Sequence, residues 1–118
     1  MQSTISLGER VKKAKDLLAQ GTPWPRGCSA FVCLLLDIDW QDANSLMGDN
    51  PKYVGKDGNY TQLVSGDIVG WKKTGGHGHV AVYIGEPEVT FIDVNGEGAS
   101  PRRVRSYGDQ EVYKSSLF

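Results

Sequence analysis

Two residues have the type and setting that thiol chemistry needs. They are Cys28, in Gly27-Cys28-Ser29-Ala30-Phe31-Val32, and His79, in Gly76-His77-Gly78-His79-Val80-Ala81-Val82-Tyr83-Ile84. Cys28 opens an apolar run that reads as a helix, so its sulfur sits where free backbone N–H groups and the helix dipole stabilise a thiolate. His79 opens an apolar run that reads as a strand, a rigid platform for a base. A thiolate beside an imidazole is an activated nucleophile: it attacks a carbonyl and forms a thioester while the imidazole handles the proton. The chemistry implied is that of a cysteine hydrolase or acyltransferase. Gly27 lets the backbone turn tightly and leaves the sulfur uncrowded. Cys33 lies among Phe31, Val32 and Leu34, where desolvation raises a thiol pKa and makes it inert. His77, set among glycines, reads as a surface or capping residue.

Such a base needs a polar group to orient it. The strand after His79 offers Asp93 and Asn95, which share parity and therefore a face. A three-residue turn sets Asp93 opposite His79, whereas a two- or four-residue turn shifts the register and flips the face. Asp93 is the choice because a carboxylate also stabilises an imidazolium. The competing reading makes it a turn cap before Asn95-Gly96.

The elements that must position these groups are legible in outline. Ser6 and Glu9 have capping-box spacing, Leu7, Val11, Ala14 and Leu18 form one stripe, and Gly21 ends the pattern, which predicts a helix over 7–20. Lys12, Lys13 and Lys15 then face water. Two prolines around Trp24 make residues 21–27 a stiff loop. The run Cys28 to Leu36 is apolar nearly all round and predicts a buried central helix. A short helix is expected over Trp40–Met47, and residues 48–60 read as a loop bordering the site. From Gly66 onward the pattern is β: a strand over Asp67–Lys72, a hairpin of His79–Ile84 and Val89–Val94 turning at Gly85-Glu86-Pro87-Glu88, and edge strands at Val104–Ser106 and Glu111–Tyr113. Helices followed by antiparallel strands give an α+β fold, with one domain expected over residues 1–118.

Composition narrows the function classes. The 118 residues carry 13 basic and 14 acidic side chains, a net charge of −1, so there is no basic excess to neutralise phosphates and nucleic acid is disfavoured as a partner. The cluster Arg102, Arg103 and Arg105 reads as a solvated loop or edge strand. No apolar run reaches membrane-spanning length. Residues 1–10 lack the apolar core of a secretory signal, so the expectation is a non-classical route for action outside the producing cell, the alternative being that the sequence is a mature or trimmed form. The two cysteines, five positions apart on one helix, are poorly placed for a disulfide and read as free thiols. No zinc-type ligand spacing appears.

The ordered set of motifs resembles the NlpC-type, papain-like peptidoglycan peptidases. Cys28-Ser29-Ala30-Phe31-Val32 is similar to that family's nucleophile motif. Ser65-Gly66-Asp67-Ile68-Val69 is similar to its Gly-Asp-Leu-Val strand, and His79-Val80-Ala81-Val82-Tyr83-Ile84-Gly85 to its histidine strand, with a polar residue following within Phe91-Ile92-Asp93-Val94-Asn95. The likeness spans residues 24–95. Gly27 stands where the family has an acidic residue, Ala30 where it has glycine, and the third polar residue falls slightly late. Trp24 is the stand-in for the family's oxyanion aromatic. The resemblance implies a papain-like domain with helices packed on an antiparallel sheet and a catalytic triad of Cys28, His79 and Asp93. It implies no metal or cofactor. The implied reaction is hydrolysis of a stem-peptide amide, between D-glutamate (through its γ-carboxyl) and meso-diaminopimelate. Small members of this type resemble amidase effectors injected into rival bacteria by type VI secretion, which act in the target periplasm and are plugged by an immunity protein. CHAP amidases and lipid acyltransferases use the same dyad on other bonds. A non-enzymatic β-rich binding module is the remaining alternative, with Cys28 merely buried.

Overall fold

The computed structural model describes residues 5–21, 23 and 27–118; Trp24 lies outside them. Three helices precede a run of strands. Helix α1 spans Leu7–Gln20, α2 Gly27–Leu36 and α3 Ala43–Met47. The strands are β1 Lys52–Lys56, β2 Asn59–Tyr60, β3 Ile68–Trp71, β4 His79–Glu86, β5 Val89–Asp93, β6 Arg102–Val104 and β7 Val112–Lys114. They form one seven-stranded sheet in the order β2-β1-β7-β3-β4-β5-β6, every pair antiparallel.

The start and stop of α1 follow their capping residues: the Glu9 N–H donates to Ser6 Oγ at 3.2 Å, and Gly21 turns left-handed at φ 68°. Its buried face is not quite the predicted stripe. Leu7 stays 39% exposed, while Arg10 is buried with Ala14. The guanidinium of Arg10 donates to the backbone oxygens of Gly66 and Phe118, tying the helix to the β3 approach and the last described residue. Helix α2 is the central one, with Phe31, Val32, Leu35 and Leu36 fully buried. Helix α3 starts later than Trp40 because Asp42 caps it: the Ser45 N–H donates to Asp42 Oδ1 at 2.8 Å.

The sheet buries both faces. Ile68, Val80, Val82, Ile84, Ile92 and Val94 pack with the helices. The alternate residues Val69, Ala81 and Phe91 form a second cluster with Val54, Val104 and Val112. That second face is concave, because the sheet curls until its edges meet. The Asp57 N–H donates to the Gly108 carbonyl at 2.7 Å, the Tyr107 N–H donates to the Tyr60 hydroxyl at 3.1 Å, and the Tyr60 ring meets Phe91 at 5.0 Å. Residues 52–60 thus form a hairpin at the far edge rather than part of a loop beside the site. Strand β7, expected at an edge, lies between β1 and β3.

The β4–β5 hairpin decides the fate of His79 and Asp93. Glu86 pairs with Val89, leaving Pro87 and Glu88 as a two-residue turn, a length that by itself separates the two side chains. Further along, Tyr83 pairs with Phe91 and Val82 with Ile92, so Ile84 and Gly85 face Thr90 alone. This β-bulge absorbs one residue and returns His79 and Asp93 to one face. Gly85 has φ 72°, and a Cβ there would fall 2.7 Å from the Tyr83 ring. Gly85→Val should lower unfolding free energy by about 1–3 kcal/mol, measured by denaturant titration; an unchanged midpoint would contradict the bulge's role.

Candidate active site

The site forms where the first turn of α2 meets the first residue of β4 and the last of β5. Gly27 makes the approach possible. It has φ 73°, and a Cβ on it would sit 3.2 Å from the Gly96 carbonyl carbon and 3.3 Å from the Glu97 nitrogen. A side chain here would both strain the backbone and push away the loop that closes over the helix start.

Cys28 is half-buried, and the His79 side chain and the backbone N–H groups of Val80 and Ser29 act on its thiol. Burial alone pushes the thiol up. The His79 hydrogen bond and charge, with the two backbone donors, outweigh it and hold the thiol below its ordinary value. His79 is 7% exposed, and its Nε2 lies 2.7 Å from Asp93 Oδ2, which leaves Nδ1 as the nitrogen for the Cys28 sulfur. Burial would lower the imidazole pKa. The Asp93 and Cys28 hydrogen bonds, and then their charges, raise it to about 9.

Asp93 is fully buried and pulled both ways. Burial favours its neutral form, but hydrogen bonds from His79, Arg102 and Tyr107 keep its pKa below the ordinary value. Arg102 Nε donates to Oδ1 at 2.7 Å and Nη2 to Oδ2 at 3.3 Å, while the Tyr107 hydroxyl donates to Oδ2 at 2.5 Å. The Trp71 ring stacks tilted on the imidazole at 5.0 Å, and Tyr107 meets the imidazole edge-on at 5.5 Å. An indole face beside an imidazolium adds cation–π attraction. Upstream, Asn44 fixes the loop that leads into β4: its Oδ1 accepts from the Lys73 N–H at 3.0 Å and its Nδ2 donates to the carbonyls of Lys73 and Gly76.

This constellation opens into a groove of about 500 Å³. Cys28 and His79 line it together with Trp40, Asp42, His77, Asn95, Gly96 and Glu97. The arrangement can present a thiolate to an incoming carbonyl, with a protonated imidazole beside it to serve the leaving group.

The structure thus brings together Cys28, His79 and Asp93. Asn95 is exposed on the groove wall. Asp93 reaches Nε2 across a two-residue turn because the bulge restores the shared face. Cys33 is buried, its sulfur accepting from the Gln41 N–H at 3.4 Å, and desolvation raises its pKa. His77, read as a surface residue, is exposed yet lines the groove, and its charge helps lower the Asp42 pKa after the Ser45 hydrogen bonds. Residues 48–60 do not line the groove. Sequence reasoning missed three contributors. Trp71 carried a signal, since it shares parity with Val69 at the end of a recognised strand. Arg102 was read as part of a solvated patch, but its head group is drawn onto Asp93. Tyr107 carried no local signal, because only the curl of the sheet delivers it.

In comparisons with known proteins, no family model matches the chain, and neither a curated protein nor a solved structure matches it.

With its thiolate stabilised, Cys28 should alkylate at neutral pH much faster than Cys33, read by peptide mass mapping after brief iodoacetamide treatment. Equal, slow labelling of both thiols would contradict the ion pair.

Proposed function

We propose that the chain is a papain-like, NlpC-type cysteine amidase that hydrolyses a peptide-stem amide of bacterial peptidoglycan, the γ-D-glutamyl–meso-diaminopimelate bond. The observation that carries the hydrolase reading is Cys28 and His79 lining one open groove, with His79 hydrogen-bonded to the buried Asp93 and its charge acting on the Cys28 thiol. The choice of substrate rests on the ordered motifs from Cys28 to Asp93 and their likeness to that family.

The Cys28 thiolate attacks the amide carbonyl carbon, and the carbonyl electron pair moves to oxygen. The backbone N–H of Cys28, at the helix start, helps hold that oxyanion. Collapse breaks the C–N bond as His79 gives its proton to the leaving amine, which leaves a thioester and a neutral imidazole. Water then attacks the thioester carbonyl; His79 takes its proton, the carboxylic acid departs, and the thiolate–imidazolium pair is restored. Asp93 holds the ring in orientation throughout. No metal or cofactor takes part.

The effector role extends the same reading. The enzyme would reach the periplasm of a target cell by a non-classical route such as type VI secretion, and a periplasmic immunity protein would occupy the groove. Among the described residues no helix is long and apolar enough to cross a membrane.

Mass spectrometry of digested Gram-negative sacculi tests the proposal. Wild type should release fragments cleaved at one stem-peptide amide. Cys28→Ala and His79→Ala should lose roughly four to six orders of magnitude in rate, and Asp93→Ala should fall roughly ten- to hundredfold less far. Asn95→Ala should be near neutral. Cleavage at another wall bond would indicate CHAP-type specificity, acyl transfer to intact muropeptides would indicate an acyltransferase, and no reaction with any wall fragment would overturn the amidase reading. Because the raised His79 pKa keeps the proton on the imidazole at neutral pH and releases it as pH rises through about 9, kcat/KM should decline on the alkaline side near that value.

A further inference from the structure

We infer that Arg102 and Tyr107 are positioning residues: they pin the Asp93 carboxylate in one orientation, with Oδ2 aimed at His79 Nε2, and keep it as the anion the Cys28–His79 pair needs. The inference rests on the hydrolase reading only in taking Cys28 as the reacting group.

Asp93 has no exposed surface. A carboxylate so buried, with a single partner, favours taking up a proton or turning away. Ionised, it has about four lone-pair sites to satisfy. Arg102 occupies Oδ1 through Nε and reaches Oδ2 through Nη2, a forked grip that blocks rotation of the carboxylate. Oδ2 is then shared between His79 Nε2 at 2.7 Å and the Tyr107 hydroxyl at 2.5 Å. The phenol is placed by packing, its ring 5.2 Å from Phe91 and 5.1 Å from Trp71. Burial and the Asp93 charge keep its proton on, so it stays a donor.

Neither Arg102 nor Tyr107 lines the groove. Their effect on substrate must pass through Asp93 and His79, and therefore falls on turnover rather than on binding. The charged and titratable groups around Asp93 are His79 on β4, Arg102 on β6 and Tyr107 beyond it; those around Cys28 are His79 and the groove residues Asp42, His77 and Glu97. Losing one grip makes Asp93 easier to protonate. Its folded pKa then rises, and the imidazolium loses its anion at a higher pH on the way down. The acid limit of the pair moves up.

The test is the pH dependence of Cys28 alkylation by iodoacetamide, with kcat and KM on stem peptide, for wild type, Tyr107→Phe, Arg102→Gln and Arg102→Lys. Tyr107→Phe keeps the ring and its packing, and Arg102→Lys keeps the charge. Tyr107→Phe and Arg102→Gln should each move the acid limb of alkylation up by about one pH unit and lower kcat about tenfold with KM unchanged. Arg102→Lys should recover part of both. Folded variants with the wild-type limb and kcat, or with only KM altered, would overturn the inference. If wild type alkylates with a low acid limb yet leaves stem peptide uncut, the substrate assignment fails and the limb of the variants alone decides the inference. If wild type itself shows an ordinary thiol limb, both fall.

Discussion

A single buried anion underlies the chemistry of this site. Left to burial alone, the His79 imidazole would shed its proton, and Cys28 would then hold a thiol. The Asp93 carboxylate, 2.7 Å from Nε2, reverses that order. The magnitudes show why it can. Two unit charges about 4 Å apart at an effective dielectric of about 20 attract by about 4 kcal/mol, whereas one pKa unit corresponds to about 1.4 kcal/mol. Asp93 and the thiolate both act on the ring, and their combined pull exceeds a desolvation penalty of a few kcal/mol. Each charge in the row then stabilises its neighbour. The chain ends at Arg102, whose partly exposed side chain links the buried carboxylate to solvent.

The fold serves that row of charges through two departures from regularity. The bulge at Ile84–Gly85 restores the shared face that a two-residue turn would have destroyed. The curl of the sheet carries the segment beyond β6 under the concave face, where Tyr107 meets Asp93 and His79 and joins Trp71 in walling the imidazole. The opposite, helix-bearing face does different work. It seats α2 so firmly, through Phe31, Val32, Leu35 and Leu36, that the start of the helix becomes a fixed point to which Cys28 can be attached. A side-chain arrangement of this kind depends on rigid elements holding each group within a fraction of an ångström.

What the sequence made legible follows from range. Ser6, Gly21 and the apolar run after Cys28 act within a few residues of themselves, and the helices they define were readable. Likewise the strand after His79 announces itself by composition, and a thiol at a helix start beside a histidine strand is a local pattern twice over. Register was not readable, because bulges depend on one glycine's backbone angle and on the Tyr83 ring packed against it. The hairpin of residues 52–60 was hidden by turn residues that read equally well as loop. Strand β7 looked peripheral because Val112, Tyr113 and Lys114 cannot by themselves reveal that they fill the gap between β1 and β3. Tyr107 and Arg102 gained their roles only when residues far apart in the chain were brought together by the curling sheet.

The ultraviolet difference spectrum between wild type and Cys28→Ala, followed as pH rises from acid, most directly tests whether sulfur and imidazole share charge as this account requires. A thiolate absorbance already present at neutral pH, and appearing together with protection of the His79 proton up to about 9, is the predicted result. Thiolate absorbance that emerges only in the ordinary range of a free cysteine would contradict it.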